Sequence, residues 1–309
     1  NFKDMKKLIF MIAAMLLMGA SAFAQPLLVQ DKDFEKFLSL NVESDFIVKL
    51  VKSDSYAVKL TTDERIAAHV QAFVKNGTLY LILDEKGYTP ELKKQLRQKG
   101  AAAPVLQAEV YMPTLNSLIM NGKSQLVHCD SFYNENFTAT LSGNAVAAQL
   151  NVGCSTAELN VSKGAKVTAA LAVESKVYLN ASNSATVSLT QNGGNAFLKL
   201  GGSSLVDMRA EAQSVEVEAS SSAESHVSGV ASMLKVTAVG LSRTDTELLE
   251  TKDGDVTLSG SAKCHVNVTD NLKVNLTGGS MLTFKRKPSI EVDRIVNSTL
   301  IKADDPKRK

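Results

Sequence analysis

The feature that most restricts what this chain can fold into is a period. From Asn121 onward a turn position, mostly polar or small, recurs at Ser142, Ser162, Ser182, Gly201, Ser220, Val239, Ser259, Thr277 and Asn297. Successive spacings are 21, 20, 20, 19, 19, 19, 20, 18 and 20 residues. A unit this short cannot bury its own apolar side, so a steady period signifies copies that stack on one another.

The pattern inside each copy decides the kind of stack. Three residues before the turn position stand Leu118, Ala139, Leu159, Leu179, Leu198, Val217, Val236, Val256 and Val274, with Arg294 breaking the series. One residue before it stand Met120, Leu141, Val161, Ala181, Leu200, Ala219, Ala238, Leu258, Leu276 and Val296. Apolar residues two apart are the signature of strands. Three residues after the turn position the side chain is Ser or Ala in every copy but the last, which has Leu300. Five after it the series is apolar again, with Cys264 in a Val slot and with Ser225 and Thr244 as polar substitutes. Gly122, Gly143, Gly202, Gly240, Gly260 and Gly278 follow the turn position directly, where a positive φ costs glycine little. Two short strands per copy, with like residues recurring in each, predict an all-β, single-stranded parallel β-helix: a solenoid of about ten coils of ~20 residues rising ~4.8 Å per coil. A propeller needs blades about twice as long.

Residues 25 to 115 read as a β-rich N-terminal portion and residues 116 to 303 as the coils. Phe46, Val48 and Leu50 alternate, as do Val58 and Leu60. Val70, Ala72 and Val74 lead through Asn76-Gly77 into Leu79, Leu81 and Leu83, which is a hairpin signal. Thr89 as a cap, Pro90 at the first helical position and Gly100 as a stop place a short surface helix near residues 90 to 99.

Taken together, VYMPTLNSLIMNG (110 to 122), the steps Leu141-Ser142-Gly143 and Leu258-Ser259-Gly260, and VNLTGGSMLTFKRKP (274 to 288) resemble the bacterial family called putative auto-transporter adhesin, head GIN domain. The resemblance spans about residues 34 to 303. It implies an exported β-helical protein of unknown biochemical role, with adhesion as its label, and it supplies no catalytic residues.

Residues 1 to 24 carry the pattern of a secretory signal: a basic start, an apolar run from Leu8 to Ala20, and Ala22-Phe23-Ala24 before Gln25. Removing them takes away Lys3, Lys6, Lys7 and Asp4, so 34 basic and 32 acidic side chains become 31 and 31. A charge near zero argues against nucleic acid as a partner. The mature chain has no further run long enough to span a bilayer. Export would take the protein to the periplasm, the cell surface or the medium, where its partner would be a protein or glycan at the cell envelope or a host surface, with homo-oligomerisation left open. Residues 304 to 309 read as a disordered, solvated tail. Cys129, Cys154 and Cys264 fall at unlike places in the repeat and are expected as free, mostly buried thiols.

Two sets of side chains stand out as binding candidates. Six residues after the turn position, Asp207, His226, Asp245 and His265 recur on consecutive coils. Imidazole and carboxylate one coil apart can bind a transition metal, and Asp207 with Asp245, ~9.6 Å apart over two coils, approach the spacing of an inverting carboxylate pair. A solvated ladder of alternating sign is the favoured account of the column, because like charges stacked at ~4.8 Å repel. The column four before the turn position, Glu216, Lys235, Asp255, Lys273 and Asp293, obeys the same rule. Tyr178 and Phe197 share one outward slot on adjacent coils and offer a stacking surface for a sugar or a side chain. No phosphate loop, HExxH, CxxC or GxSxG occurs. His69 and His128 stand alone. The sequence thus assigns no catalytic residue, no cofactor and no metal, and favours a non-enzymatic binding or structural protein. The alternatives are a polysaccharide-active enzyme using Asp207 and Asp245, and a metal-binding protein using His226 and His265.

Overall fold

The computed structural model describes residues 26–303; the expected signal and tail lie outside the described residues. The chain is a parallel β-helix. Each coil has a leading arm, a turn, and a trailing arm that bends into the leading arm of the next coil. Many strands pass through that bend unbroken, as Val146–Val161 and Arg243–Leu258 do. Leu118, Ala139, Leu159, Leu179, Leu198, Val217, Val236, Val256 and Val274 are successive ladder partners, so a column in the sequence is a column in space. All of them are buried. Each such Leu or Val contributes about 1.5–3 kcal/mol by leaving water, an amount no coil could gain without its neighbours.

The turn column explains the glycines. Gly122, Gly143, Gly202, Gly240, Gly260 and Gly278 all have φ between 68° and 79°, and Lys163, Asn183 and Ser221 occupy the same slot with φ of 61°, 59° and 61°. The chain reverses through one left-handed residue per coil, and stacked turns leave little room. A Cβ on Gly202 would lie 2.7 Å from Asn183 Cα. The small residues two positions further on, among them Ala145, Ala165, Ala185 and Ala223, are fully buried where the trailing arm enters the core. In the apolar column that follows, the two polar substitutes answer each other: the Ser225 hydroxyl donates to Thr244 Oγ1 at 3.3 Å, between adjacent coils.

The stack continues into the N-terminal portion, but out of chain order. Ser39–Val42 pairs on one side with Ser117–Met120 and on the other with Thr78–Leu83. Ile47–Lys52 likewise lies between Gln125–Cys129 and Leu106–Met112. The last coil at this end is therefore Thr78–Leu83 followed by Leu106–Met112. In place of a turn it carries an excursion holding the helix Pro90–Leu96, whose Leu92 N–H donates to the Thr89 hydroxyl oxygen at 3.2 Å. Antiparallel strands then seal the end. Val70–Lys75 covers Thr78–Leu83 through a hairpin whose Asn76 and Gly77 both have positive φ, as a two-residue turn of matching twist requires. Ala57–Asp63 covers Leu106–Met112, and Leu27–Asp33 covers Ala57–Asp63.

Beneath that seal lie large side chains. Phe37, Phe46 and Ile66 are fully buried. The Phe37 ring meets Tyr56 edge-on at 5.4 Å. The buried Asp63 carboxylate accepts from Arg65 Nε at 3.0 and 3.1 Å, and that hydrogen bonding holds its pKa below the ordinary carboxylate value.

At the opposite end the sequence register needs one correction. Val292, not Arg294, is the ladder partner of Val274, because Asp293 bulges out and Arg294 then faces Asn275. The turn after the bulge is one residue shorter than the turn beneath it, and this takes Leu300 out of the small-residue slot. It pairs with Leu282 and extends the apolar column of the trailing arm.

The three thiols are free and buried. Burial pushes Cys129 and Cys154 up to about 11 and Cys264 further, so they are packing residues rather than nucleophiles.

Candidate functional site

On the trailing arm Asp207, His226, Asp245 and His265 are direct ladder partners, with Ser188 before them and Thr283 after. The side-chain contacts, however, run sideways. His226 Nε2 lies 3.5 Å from Glu224 Oε1 on its own strand. The Asp245 carboxylate accepts from the Glu247 N–H at 3.0 Å. The column is a row of separately solvated groups on one flat face.

At the Asp245 coil a bulge interrupts that face. Thr246 pairs with Val266 and Glu250 with Asn267, so Glu247, Leu248 and Leu249 have no partner on that side. Leu249 turns inward and is buried, while Leu248 projects with 75% of its surface exposed. The bulge raises a wall beside the column and makes a groove of about 460 Å³, bounded by Ser188, Asp207, Arg209, His226 and Leu248. Hydroxyl, carboxylate, imidazole and guanidinium groups thus face one projecting apolar side chain.

Glu247 changes what the column can hold. Asp245, Glu247 and His265 present ligand atoms within 4.8 Å of one another, a carboxylate and imidazole set that suits a divalent transition metal. The Lys285 ammonium already pairs with Glu247, so an arriving cation would have to displace it. Glu247 and Leu248 escaped the sequence reading because they bulge within one continuous strand, Arg243–Leu258.

Tyr178 and Phe197 lie on the leading arm, away from the groove, and are ladder partners stacked at 5.1 Å and 22°. The Lys176 ammonium sits 5.4 Å from the Tyr178 ring centre. The same slot continues through Glu216, Lys235, Asp255 and Lys273 to Glu291. Here Lys235 meets Glu216 at 2.7 Å, and Lys273 meets Glu291 at 3.6 Å and the bulged Asp293 at 3.1 Å. Exposed pairs of this kind, screened by water, contribute little to stability. The two candidate sets therefore occupy different arms and do not form one site. His128 bonds Asp130 at 3.0 Å, and His69 packs edge-on against Tyr88; neither approaches the ladder.

No helix among the described residues is long and apolar enough to cross a membrane. The family model described as "Putative auto-transporter adhesin, head GIN domain" matches residues 36–175 and again 149–288. Two overlapping matches are what a repeated coil produces, since one register of the stack resembles another. A crystal structure described as a putative adhesin from Parabacteroides merdae is 13% identical, with 90% of this chain and 96% of that chain covered and a TM-score of 0.46. One described as a putative adhesin from Parabacteroides distasonis is 15% identical over 90% and 97%, with a TM-score of 0.44. A third, described as a putative lipid binding protein from Parabacteroides distasonis, is 12% identical over 90% and 97%, with a TM-score of 0.42. No curated protein matches the chain.

Proposed function

Because the chain belongs to the auto-transporter adhesin, head GIN domain family, we propose that it is an exported, non-enzymatic binding protein that engages a protein or glycan at the cell envelope or a host surface. The groove beside Asp207, His226 and Asp245 carries this reading. A flat sheet gives a partner only edge-to-edge or stacking contact, whereas the Leu248 wall supplies a projecting apolar anchor rimmed by polar groups, the anatomy of a recognition patch. Tyr178 and Phe197 offer a second contact on the leading face, suited to a sugar ring or an aromatic side chain.

Geometry weighs against the polysaccharide-active alternative. Carboxylates that cleave a glycosidic bond flank it, but Asp207 and Asp245 stand on the same side of one face with His226 on the rung between them. They would both approach a sugar from below.

The test is binding of the purified chain to cell-surface extracts and a broad glycan array across a range of salt. Replacing Leu248 with Asp should weaken the captured interaction on the order of tenfold, the effect of losing one well-packed anchor. Capture that survives L248D unchanged, or no capture at any salt, refutes the groove as the binding site. Turnover of any glycan, lost in both D207N and D245N, would establish the enzymatic alternative instead.

A further inference from the structure

The two ends of the solenoid are finished differently, and among the described residues nothing covers the C-terminal one. Among the described residues, Ser289–Val296 pairs only with the coil before it, as does Thr299–Lys302. Ile290, Val292 and Ile295 continue the columns of Leu272, Val274 and Leu276. Those three predecessors are fully buried, yet the terminal residues are 38%, 51% and 39% exposed. The core thus reaches solvent through its last rung, and the strand presents an unpaired edge, the arrangement that invites another strand.

We propose that this edge pairs with the same edge of a second copy, antiparallel across a two-fold axis. The order of the side chains argues for the second copy. An axis perpendicular to the strand between Val292 and Asp293 sets Ile290 opposite Ile295 of the other copy, both facing the core. It sets Glu291 opposite Arg294, both facing out. Each pairing occurs twice, so the seam closes two apolar contacts and two ion pairs. The bulge makes this register consistent: it shifts Ile295 inward and Arg294 outward, which an unbroken strand would not do. Lys273 contacts Asp293 at 3.1 Å, which neutralises the one acid left at the centre of the seam. An isologous contact closes on itself, so the assembly stops at two copies and does not grow into a fibre.

Sedimentation of the full chain over a concentration series tests the assignment. The chain should be a dimer that dissociates on dilution. Arg294→Glu should weaken the dimer on the order of tenfold or more, because like charges then face each other twice. Arg294→Glu combined with Glu291→Arg should bind measurably tighter than Arg294→Glu alone, since the swap rebuilds both pairs with reversed sign, but not as tightly as the parent, because Lys273 lies 3.6 Å from Glu291 and would repel an arginine there. Both positions are exposed, and equal thermal melting of the monomeric fractions would show that the variants fold. A chain that stays monomeric, a dimer indifferent to R294E, a double variant no better than R294E, or growth into open polymers would each overturn the proposal. The first outcome would mean that the edge is covered by another occupant, such as residues 304–309 or an unrelated partner.

Discussion

The coils beyond Asn121 and the sealed N-terminal end use the same ladder but are stabilised in different ways. In the coils, mid-sized side chains repeat in columns and, outside the bulges, residues rest on their counterparts one turn away. At the N-terminal end, Phe37, Phe46 and Ile66 fill a space that no repeat dictates, under antiparallel strands brought back from elsewhere in the chain. Regular stacking tolerates variation in side-chain size as long as the backbone registers match. A cap depends on a few large, unrepeated side chains. Damage to the two regions should therefore look different.

The largest expected effect is at the cap. Phe37→Ala should cost about 3–5 kcal/mol, the usual range for emptying a buried aromatic site, and should lower the denaturation midpoint for the whole molecule. If only local hydrogen-exchange protection near residues 26–112 is lost, the cap and the coils unfold separately and the comparison sharpens.

Backbone crowding should be the weak point of the coils. Gly229 has φ of 112°, and a Cβ there would meet Ala210 O at 2.1 Å. Gly229→Ala should cost about 3 kcal/mol, because strain and a clash with an immovable backbone atom add. Gly77, in the cap hairpin with φ of 71°, has open space around its would-be Cβ. Gly77→Ala should cost only about 1 kcal/mol, from backbone strain alone. Equal effects in urea denaturation would remove the distinction between a crowded position inside a stacked strand and a free hairpin turn.

Acid should weaken the cap. The Arg65 hydrogen bonds lower the folded-state pKa of Asp63 below its unfolded value, so their contribution is present above the unfolded pKa and is lost as pH falls through the folded one. Stability measured from pH 5 downward should fall less steeply in Asp63→Asn than in the parent chain. Parallel curves would dismiss the pair as an acid-sensitive element.

The smallest effect is a gain. Lys163 holds the left-handed turn slot that glycine fills in Gly143 and Gly202, with φ of 61°. Lys163→Gly should stabilise the chain by up to about 1 kcal/mol. A loss instead would mean that the lysine side chain contributes more by packing over its neighbours than its backbone strain costs.

Much of the repeat was legible because its physics is local and is then copied. Alternation at Leu198 and Leu200, a left-handed residue at Gly202 and an apolar step at Val206 specify one coil, and stacking follows from the period. The Asp207 to His265 column could be read from spacing alone for the same reason. Glu247 and Leu248 could not, because a bulge leaves the local pattern intact while adding residues between its elements. The shifted register at Asp293 was hidden in the same way.

Sequence alone determined the parallel β-helix, its turns and which side chains share a column, since a recurring short-range pattern has only one way to bury its apolar faces. Only the tertiary structure decided that Ser39–Val42 lies between two later segments, that antiparallel strands close one end, and where the flat faces are broken. Those outcomes depend on contacts between segments distant in the chain and unlike one another, and no period announces them.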